Sequence, residues 1–387
     1  MLLDRDSIAH EWLDGRWDAF TLVTPNWQCQ LPGWPYSGAE PDGFMKRDEV
    51  YEFVRSYADS FAAPVLENTA VTKLTQRDGG GFELVTPRGV LIADQVVIAT
   101  GGYHHPVIPA WSERLPTGVE QVHSSEYRNA GQLPEGAVLV VGSGQSGTQI
   151  AEDLMLEGRD VHLALGGAPR VARFYRGRDC VAWLHDMGVY DRPVQEQAGG
   201  LAKRESTNHY VTGRDGGRDI DLRAFARDGM RLHGRVLDAR GAELLLSPTV
   251  GASLDAADAV AESIKDDIDR YIERSGIDAP IESRRAPVWR PSEENTSLDL
   301  GAAGITSVIW SIGYRADYSW IRVGAFDGTG APTHHRGVTA VDGLYFIGLP
   351  WLHTWGSGRF AAIARDSDHL ASEIMSARER SYESSAA

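Results

Sequence analysis

Apolar residues recur along this chain in two rhythms, one helical and one of short unbroken runs. Val50, Phe53, Val54, Tyr57 and Phe61 fall at helical spacing and predict a helix over 48–61. Three short apolar runs follow, Phe82 to Val85, Val90 to Ile92 and Val96 to Ala99, with turn residues at Gly79-Gly80-Gly81 and Pro87-Arg88-Gly89. They predict a small antiparallel meander. Residues 104–134 are rich in Pro and His, show no period and predict a crossing between domains. Ala137 to Val141 is a continuous apolar run leading into a glycine-rich turn. A helix with Ile150, Ala151 and Leu154 on one face comes next, stopped by Gly158, and then a second run, Val161 to Leu165. That succession is a βαβ unit and predicts a parallel sheet. Residues 166–250, dense in Arg, Asp and Gly, predict loops. An amphipathic helix is predicted over 255–274, through Val260, Ile264, Ile268 and Ile272, with Gly276 as its stop. Pro280, Pro287 and Pro291 mark a second crossing. Ser307 to Ile312 and Leu344 to Ile347 predict strands, and Phe360, Ile363, Leu370 and Ile374 a closing helix.

Composition narrows the classes. A chain of 387 residues fits two domains. The formal net charge of −16 argues against nucleic acid or an anionic membrane face as partner. The only cysteines, Cys29 and Cys180, form no C-x-x-C, so neither a thioredoxin-type dithiol nor a zinc framework is expected, and no metal site. No apolar run approaches the ~20 residues of a membrane helix. The opening residues Met1 to Asp6 carry no signal-peptide core. The expectation is a cytoplasmic protein. His104-His105 and His334-His335 read as loop histidines.

The strongest chemical signal is Gly142-Ser143-Gly144-Gln145-Ser146-Gly147. It follows a predicted strand and opens a predicted helix, the context in which G-x-G-x-x-G binds a dinucleotide. Gly142 permits the tight turn, Gly144 lets backbone approach a pyrophosphate, and Gly147 lets helix and strand meet closely. The helix N-terminus adds free N–H groups for the phosphates. At the end of the second strand stands Leu165-Gly166-Gly167, with no carboxylate to take the ribose 2′-OH of NAD. Arg170 and Arg173 follow, and a guanidinium grips a 2′-phosphate, so NADPH is the expected cofactor. Gln95 to Gly102 and Ser307 to Tyr314 are both strands running into a glycine turn.

On these features the chain resembles the class B flavoprotein monooxygenases, of the flavin-containing monooxygenase family. The stretches that carry the likeness are Glu11-Trp12 with Arg16-Trp17-Asp18, Thr24-Pro25-Asn26-Trp27, the Ala99-Thr100-Gly101 turn, Gly142 to Gly147, and Gly343 to Gly348 running into Ser357-Gly358. The family fingerprint between the two nucleotide sites is matched in part by Gly118, His123 and Tyr127; Gly118 lies five residues before His123 rather than four and the leading Phe is absent. The resemblance implies an α/β fold with two Rossmann-like dinucleotide-binding domains. The FAD domain would comprise residues 1–109 and 298–387, with an NADPH domain, 110–297, inserted. It implies FAD contacts at Asp4, Arg5, Trp12, Trp17, Val71, Thr100, Gly101, Gly348 and Ser357, NADPH contacts at Gly142 to Gly147, Arg170 and Arg173, and Asn26 as the catalytic hydrogen-bonding residue. The implied reaction is reduction of FAD by NADPH, capture of O2 as a flavin C4a-peroxide, and transfer of one oxygen to a small nucleophilic or carbonyl substrate. The alternatives are an NADPH-dependent reductase or oxidase without oxygenation, and a non-catalytic nucleotide-binding regulator. The expected partners are the substrate and O2, with a homodimer as the assembly. His353, Trp351 and Trp355 fall in a loop expected near the flavin, and residues 175–250 on the substrate side.

One expected feature has no match. Residues 1–60 contain no second G-x-G-x-x-G. Leu2-Leu3-Asp4-Arg5 looks like the end of the second strand of an FAD βαβ unit, with Asp4 in the place of the ribose-binding acid, which lies about 20 residues past the glycine loop. The first strand, loop and helix, roughly 30 residues, are therefore expected to be absent, FAD to bind weakly, and the fold to be of low stability.

Overall fold

The computed structural model of the chain describes residues 1–284 and 286–386, with side chains described except at 205 and 381–386. Its largest sheet has five parallel strands in the order β7 (Glu120–His123), β14 (Ile305–Trp310), β8 (Ala137–Val141), β9 (Val161–Ala164), β10 (Arg231–His233). All five residues of β8 are buried, as a strand covered on both faces requires. Helix α2 (Gln145–Leu156) follows the glycine turn and buries Ile150, Ala151 and Leu154 against the sheet. A three-stranded antiparallel meander, β11 (Val236–Arg240), β12 (Glu243–Leu246) and β13 (Ser297–Asp299), covers the other face with Leu244, Leu246 and Leu300. Helix α3 (Val250–Ser275) runs through the predicted span and ends on Gly276 at φ 62°.

The outer half repeats part of this plan. Strand β1 (Leu2–Leu3) pairs in parallel with β2 (Val65–Leu66), and β6 (Val96–Ile98) with β15 (Leu344–Phe346). Between them in sequence lie helix α1 (Arg47–Ser60) and a meander of β3 (Lys73–Gln76), β4 (Phe82–Thr86) and β5 (Gly89–Ala93), with Ile321–Arg322 beside β3. Helix α4 (Phe360–Ala386) closes the chain.

Two expectations change. Val96 to Ile98 is not part of the antiparallel meander; its partner is parallel, because Lys73–Gln76 supplies the meander's third strand. Residues 104–134 are not only a crossing, since Glu120–His123 pairs with β14 at the sheet edge. Residues 297–299 and 305–310 pair with the meander and with the five-stranded sheet. On the other side, Trp17, Phe20, Leu22, Cys29, Met45 and Val50 share one core with Val138, Val140 and Ile150. Much of the segment 17–50 thus packs on the inserted domain.

Candidate functional site

The turn after β8 is shaped by contacts on both sides. Gly142 sits at φ 106°, its N–H donates to Ala164 O at 3.0 Å, and a Cβ there would lie 2.4 Å from Ser311 O. A Cβ on Gly147 would lie 1.9 Å from the Gly142 carbonyl oxygen. Neither position tolerates a side chain. Gly144 differs, for a Cβ there meets no protein atom within 4 Å. It caps α2 without a side-chain cap, so the first N–H groups of the helix are left for a ligand. Ser143 Oγ accepts from Gly166 N at 2.9 Å and fixes the loop to the end of β9. The Gln145 amide donates to Val211 O at 2.5 Å and accepts from Val211 N at 3.2 Å, so its side chain is committed to the protein. Ser146 is exposed at the mouth. The residues fit a dinucleotide diphosphate: two glycines build the turn, the third leaves room.

Arg170 and Arg173 occupy other places than a phosphate clamp would need. Arg170 Nε donates to Asp258 at 2.5 Å, and Arg223 shares that carboxylate at 2.8 Å. The Arg173 side chain has 0% exposure; it pairs with Asp179, donates to Val23 O at 2.8 Å and stacks on Phe44. These are structural ion pairs made by charged groups that would be costly to leave buried alone. Arg176 and Arg178 are likewise paired, with Asp269 and Asp186. Sequence proximity to β9 singled these residues out, but the arginines that line the cavity with Gly166 and Gly167 are Arg192, Arg235 and Arg274, and the one the sheet brings next to β9 is Arg235. It follows β10, the neighbour of β9 in the sheet, and is exposed.

That cavity has a volume of about 1150 Å³. It runs from Gly166 and Gly167 along one face of α3, past Ala256 and Val260, to Trp351 and Trp355 in the loop after Gly348. Trp355 stacks on Tyr190 with ring centroids 4.7 Å apart and planes within 1°, and on Trp351 at 6.4 Å. Ser357 anchors the loop by accepting from His353 N and Thr354 N, each at 3.1 Å. His209, also on the wall, is pushed down to about 4 by burial first and then by Arg359 and Lys203, so it is neutral at pH 7. His353 is held down to about 4 by burial, with Arg336 and Arg365 adding to it.

The other expected site residues divide. Asp4 ends β1 and accepts from Asp6 N at 3.0 Å, while Arg5 beside it is turned to Asp6 at 2.8 Å. Thr100 is exposed after β6, and Gly101, at φ 65°, accepts from Tyr318 Oη at 2.6 Å. Gly348 has φ 77° and open space around it. These residues suit the ribose and ring ends of FAD. Among the described residues β1 and β6 belong to separate two-stranded sheets. Trp17 is buried, edge-on to Phe20 at 5.1 Å, and is core rather than a cofactor contact. Trp12 stacks on Phe360 at 5.9 Å, and Val71 packs half-buried on the outer core. Asn26 is buried; its Nδ2 donates to Glu40 O at 2.9 Å and its Oδ1 accepts from Met45 N at 2.8 Å. Its amide braces the loop 26–45. His123 and Tyr127 of the fingerprint bridge segments: His123 Nε2 meets Gly313 O at 3.2 Å, and Tyr127 Oη donates to Asp153 at 2.9 Å.

The strand–glycine loop–helix unit, the paired sheets and the meanders define a two-dinucleotide oxidoreductase. Residues 35–183 match the family described as pyridine nucleotide-disulphide oxidoreductase. Over 365 residues the chain is 31% identical to an oxidoreductase CzcO-like protein of Geobacillus kaustophilus, covering 93% of this chain and 86% of that one. The oxidoreductase CzcO of Bacillus subtilis is 27% identical over 97% of this chain and 91% of its own length. The fold matches that of a flavin-containing monooxygenase from Stenotrophomonas maltophilia with a TM-score of 0.62, at 17% identity, over 94% of this chain and 87% of that structure. The chain belongs to the family of CzcO-like oxidoreductases. It is an oxidoreductase, and its glycine loop has the shape of a dinucleotide site. No helix among the described residues is long and apolar enough to cross a membrane.

Proposed function

We propose that this chain inserts one oxygen atom of O2 into a small nucleophilic or carbonyl substrate, with NADPH as reductant. In balance, substrate, O2, NADPH and a proton give oxygenated substrate, water and NADP⁺. The observation that carries the reading is a cavity of about 1150 Å³ lined by Gly166, whose N–H donates to Ser143 of the glycine loop, and by Trp351 and Trp355, space for a substrate beyond the nucleotide. The chemistry that FAD supplies when bound is hydride acceptance and reduction of O2. The chain's part is placement. The N-terminus of α2 and Gly144 receive the diphosphate, and Arg235 takes the 2′-phosphate, which sets the preference for NADPH. The stacked Tyr190, Trp355 and Trp351 exclude water from the far end.

The test is turnover under ¹⁸O2 with a panel of amines, sulfides and ketones, with NADPH consumption and hydrogen peroxide measured together. The expected result is one labelled oxygen in product for each NADPH consumed beyond the peroxide formed. Peroxide accounting for all the NADPH, with no labelled product, would replace oxygenation by oxidase or reductase chemistry.

A further inference from the structure

Helix α3 carries two apolar stripes where a helix on a globular surface carries one. Val250, Leu254, Ala257, Ala261, Ile268 and Ile272 are buried and hold it to the domain. Ala252, Ala256, Val260, Ile264 and Tyr271 form a second stripe beside the first, and all five line the large cavity. Ala252 and Ala256 are exposed and the other three half-buried, so the core leaves this stripe incompletely covered. Thr249, just before the first turn, and Arg274, in the last, line the cavity too. At about 1.5 Å per residue the cavity therefore follows the helix for about 35 Å. Its volume of about 1150 Å³ over that length leaves a mean cross-section of roughly 33 Å². The space is long and narrow.

Its two ends differ. Ser247 N donates to Arg235 O and Thr249 N to Ser247 O, each at 2.9 Å, so Arg235 stands by the start of α3, on the nucleotide side. Toward the other end the facing wall is Leu184, Met187 and Val189, from the short helix Cys180–Asp186 and the turn after it. Met187, Ile264 and Tyr271 pack on one cluster with Trp183, so the two walls meet there. Val189 adjoins Tyr190, whose ring stacks on Trp355, so this wall is continuous with the tryptophans. Asp267, the only acid among the described lining residues, is paired with Arg270, and Arg274 donates from Nε to Arg270 O at 3.2 Å. The diphosphate belongs at the N-terminus of α2 and makes no use of this arm. A narrow apolar arm leading away from a dinucleotide site is the complement of an extended hydrocarbon chain.

We infer that the substrate carries a linear aliphatic chain, which lies along α3 between Ile264 and Met187, with its reacting group at the nucleotide end. This rests on the monooxygenase reading for what happens to the molecule, but its binding can be measured without turnover. Isothermal titration calorimetry of the full chain with 2-heptanone, 2-nonanone and 2-undecanone reads the dependence on chain length. Each two-carbon step should tighten binding about tenfold, as two more CH₂ groups leave water. The branched isomer of 2-nonanone, 2,6-dimethylheptan-4-one, has the same atoms in a compact shape and should bind roughly fivefold more weakly. Ile264→Glu puts a carboxylate in the arm and should flatten the series to about twofold per step or less. If that variant lowers the melting temperature through the cluster Ile264 touches, Val260→Glu, one turn earlier and not part of that cluster, still decides. Saturating NADP⁺ should leave the series intact. Equal affinities along the series, a branched isomer that binds as tightly as the linear one, no binding of any ketone, an unchanged series in a folded Val260→Glu variant, or displacement of 2-undecanone by NADP⁺ would each overturn the assignment, the last by giving the arm to the dinucleotide. A failed ¹⁸O2 test with the series intact would remove the oxygenation reading alone.

Discussion

In the dinucleotide half, β8 lies between β9 and β14 and hydrogen-bonds to both; in the outer half the corresponding strands, β1 and β6, share no partner. The outer pairs β15–β6 and β1–β2 form separate two-stranded sheets, and a meander precedes β6 as one precedes β14. The difference shows what makes a phosphate cradle. Gly142 is held from one flank by Ala164 at the end of β9 and from the other by Ser311 beyond β14. The loop's shape comes from the two strands that grip it as much as from its glycines. In the outer half Asp4 follows β1 and Gly101 lies beyond β6, and among the described residues no strand pairs with both β1 and β6. There the paired strands are two and three residues long, a length that needs neighbours to persist. Leu2 at 50% and Val97 at 41% exposure show the apolar surface left uncovered.

The largest effect separates the two halves directly. Gly147→Ala puts a Cβ 1.9 Å from a backbone oxygen, a clash with nothing flexible to yield. NADP⁺ affinity should fall more than a hundredfold, about 3 kcal/mol, together with a lower melting temperature. Gly348→Ala in the outer half meets no atom and carries only the left-handed backbone penalty, about 1–2 kcal/mol, with NADP⁺ affinity unchanged. Calorimetry and thermal melts on both variants check this, and equal losses of affinity would break the contrast.

The second effect is acid sensitivity inside the five-stranded sheet. His162 Nδ1 and His233 Nε2 are 2.9 Å apart and the rings are stacked within 8°. Arg231 lies 2.8 Å from His162 Nε2, and because an arginine only donates, that nitrogen must accept. His162 therefore carries its proton on Nδ1 and donates to His233, and both rings are neutral. Burial, and the nearby Arg231, push both down to about 4. The unfolded chain binds these protons from pH 6.5 downward, so their contribution is complete above 6.5 and is lost as pH falls through about 4. Urea unfolding at pH 7.5 and 5.5 should differ by about 3 kcal/mol from this pair, and the difference should shrink in the His162→Gln, His233→Gln double variant. An unchanged pH dependence in that variant would move the acid sensitivity to other groups, such as His334 and His353 of the outer half, which are also held near 4.

The same contrast governs how far the sequence could be read. Ala137 to Leu165 was legible because a five-residue apolar strand, a glycine turn and a helix state their structure locally. Helix α3 was legible by its period. Glu120–His123 was not, for an edge strand of polar residues has no apolar signal until β14 is placed beside it. Nor were the elements of 166–250, which are short and held by distant ion pairs such as Arg223 with Asp255 and Asp258. The arginines after β9 show the limit at the site itself. Their number and position pointed to a phosphate, yet which arginine is free depends on carboxylates at 179 and 258 that only the fold brings near. Arg235 is close to β9 through the sheet, not through the chain.

That correction sets the third prediction. Arg235→Ala should reduce the NADPH over NADH preference in kcat/KM by roughly 10–100-fold, the worth of a lost charged hydrogen bond of about 1.5–3 kcal/mol. Arg173→Ala and Arg170→Ala should instead lower the melting temperature, the first by leaving Asp179 without its partner and the second by taking one of two guanidinium partners from Asp258. A preserved cofactor preference in Arg235→Ala would return the 2′-phosphate to another group.

The smallest effect expected concerns cysteine, where neither half holds a redox pair. The matched family's description includes disulphide chemistry, which needs two thiols in reach of each other and a thiolate to start. Cys29 and Cys180 are both unpaired and buried. Cys29 packs in the core that joins segment 17–50 to the inserted domain, and burial pushes its thiol up to about 12. Cys180 begins the short helix Cys180–Asp186 in a different cluster, and burial, with Asp179 beside it, raises its thiol as well. Both stay protonated at pH 7, and each is walled off from solvent and from the other. Electrons delivered by NADPH therefore pass without a sulfur relay. The Cys29→Ala, Cys180→Ala double variant should keep its rate of NADPH-dependent flavin reduction within about twofold, a barrier change under about 0.5 kcal/mol, while its melting temperature falls slightly from the lost packing. Stopped-flow absorbance at the flavin band reads the rate, and circular dichroism establishes that the variant is folded. A folded double variant that no longer reduces flavin would place a thiol in the electron path and return the chain to disulphide chemistry.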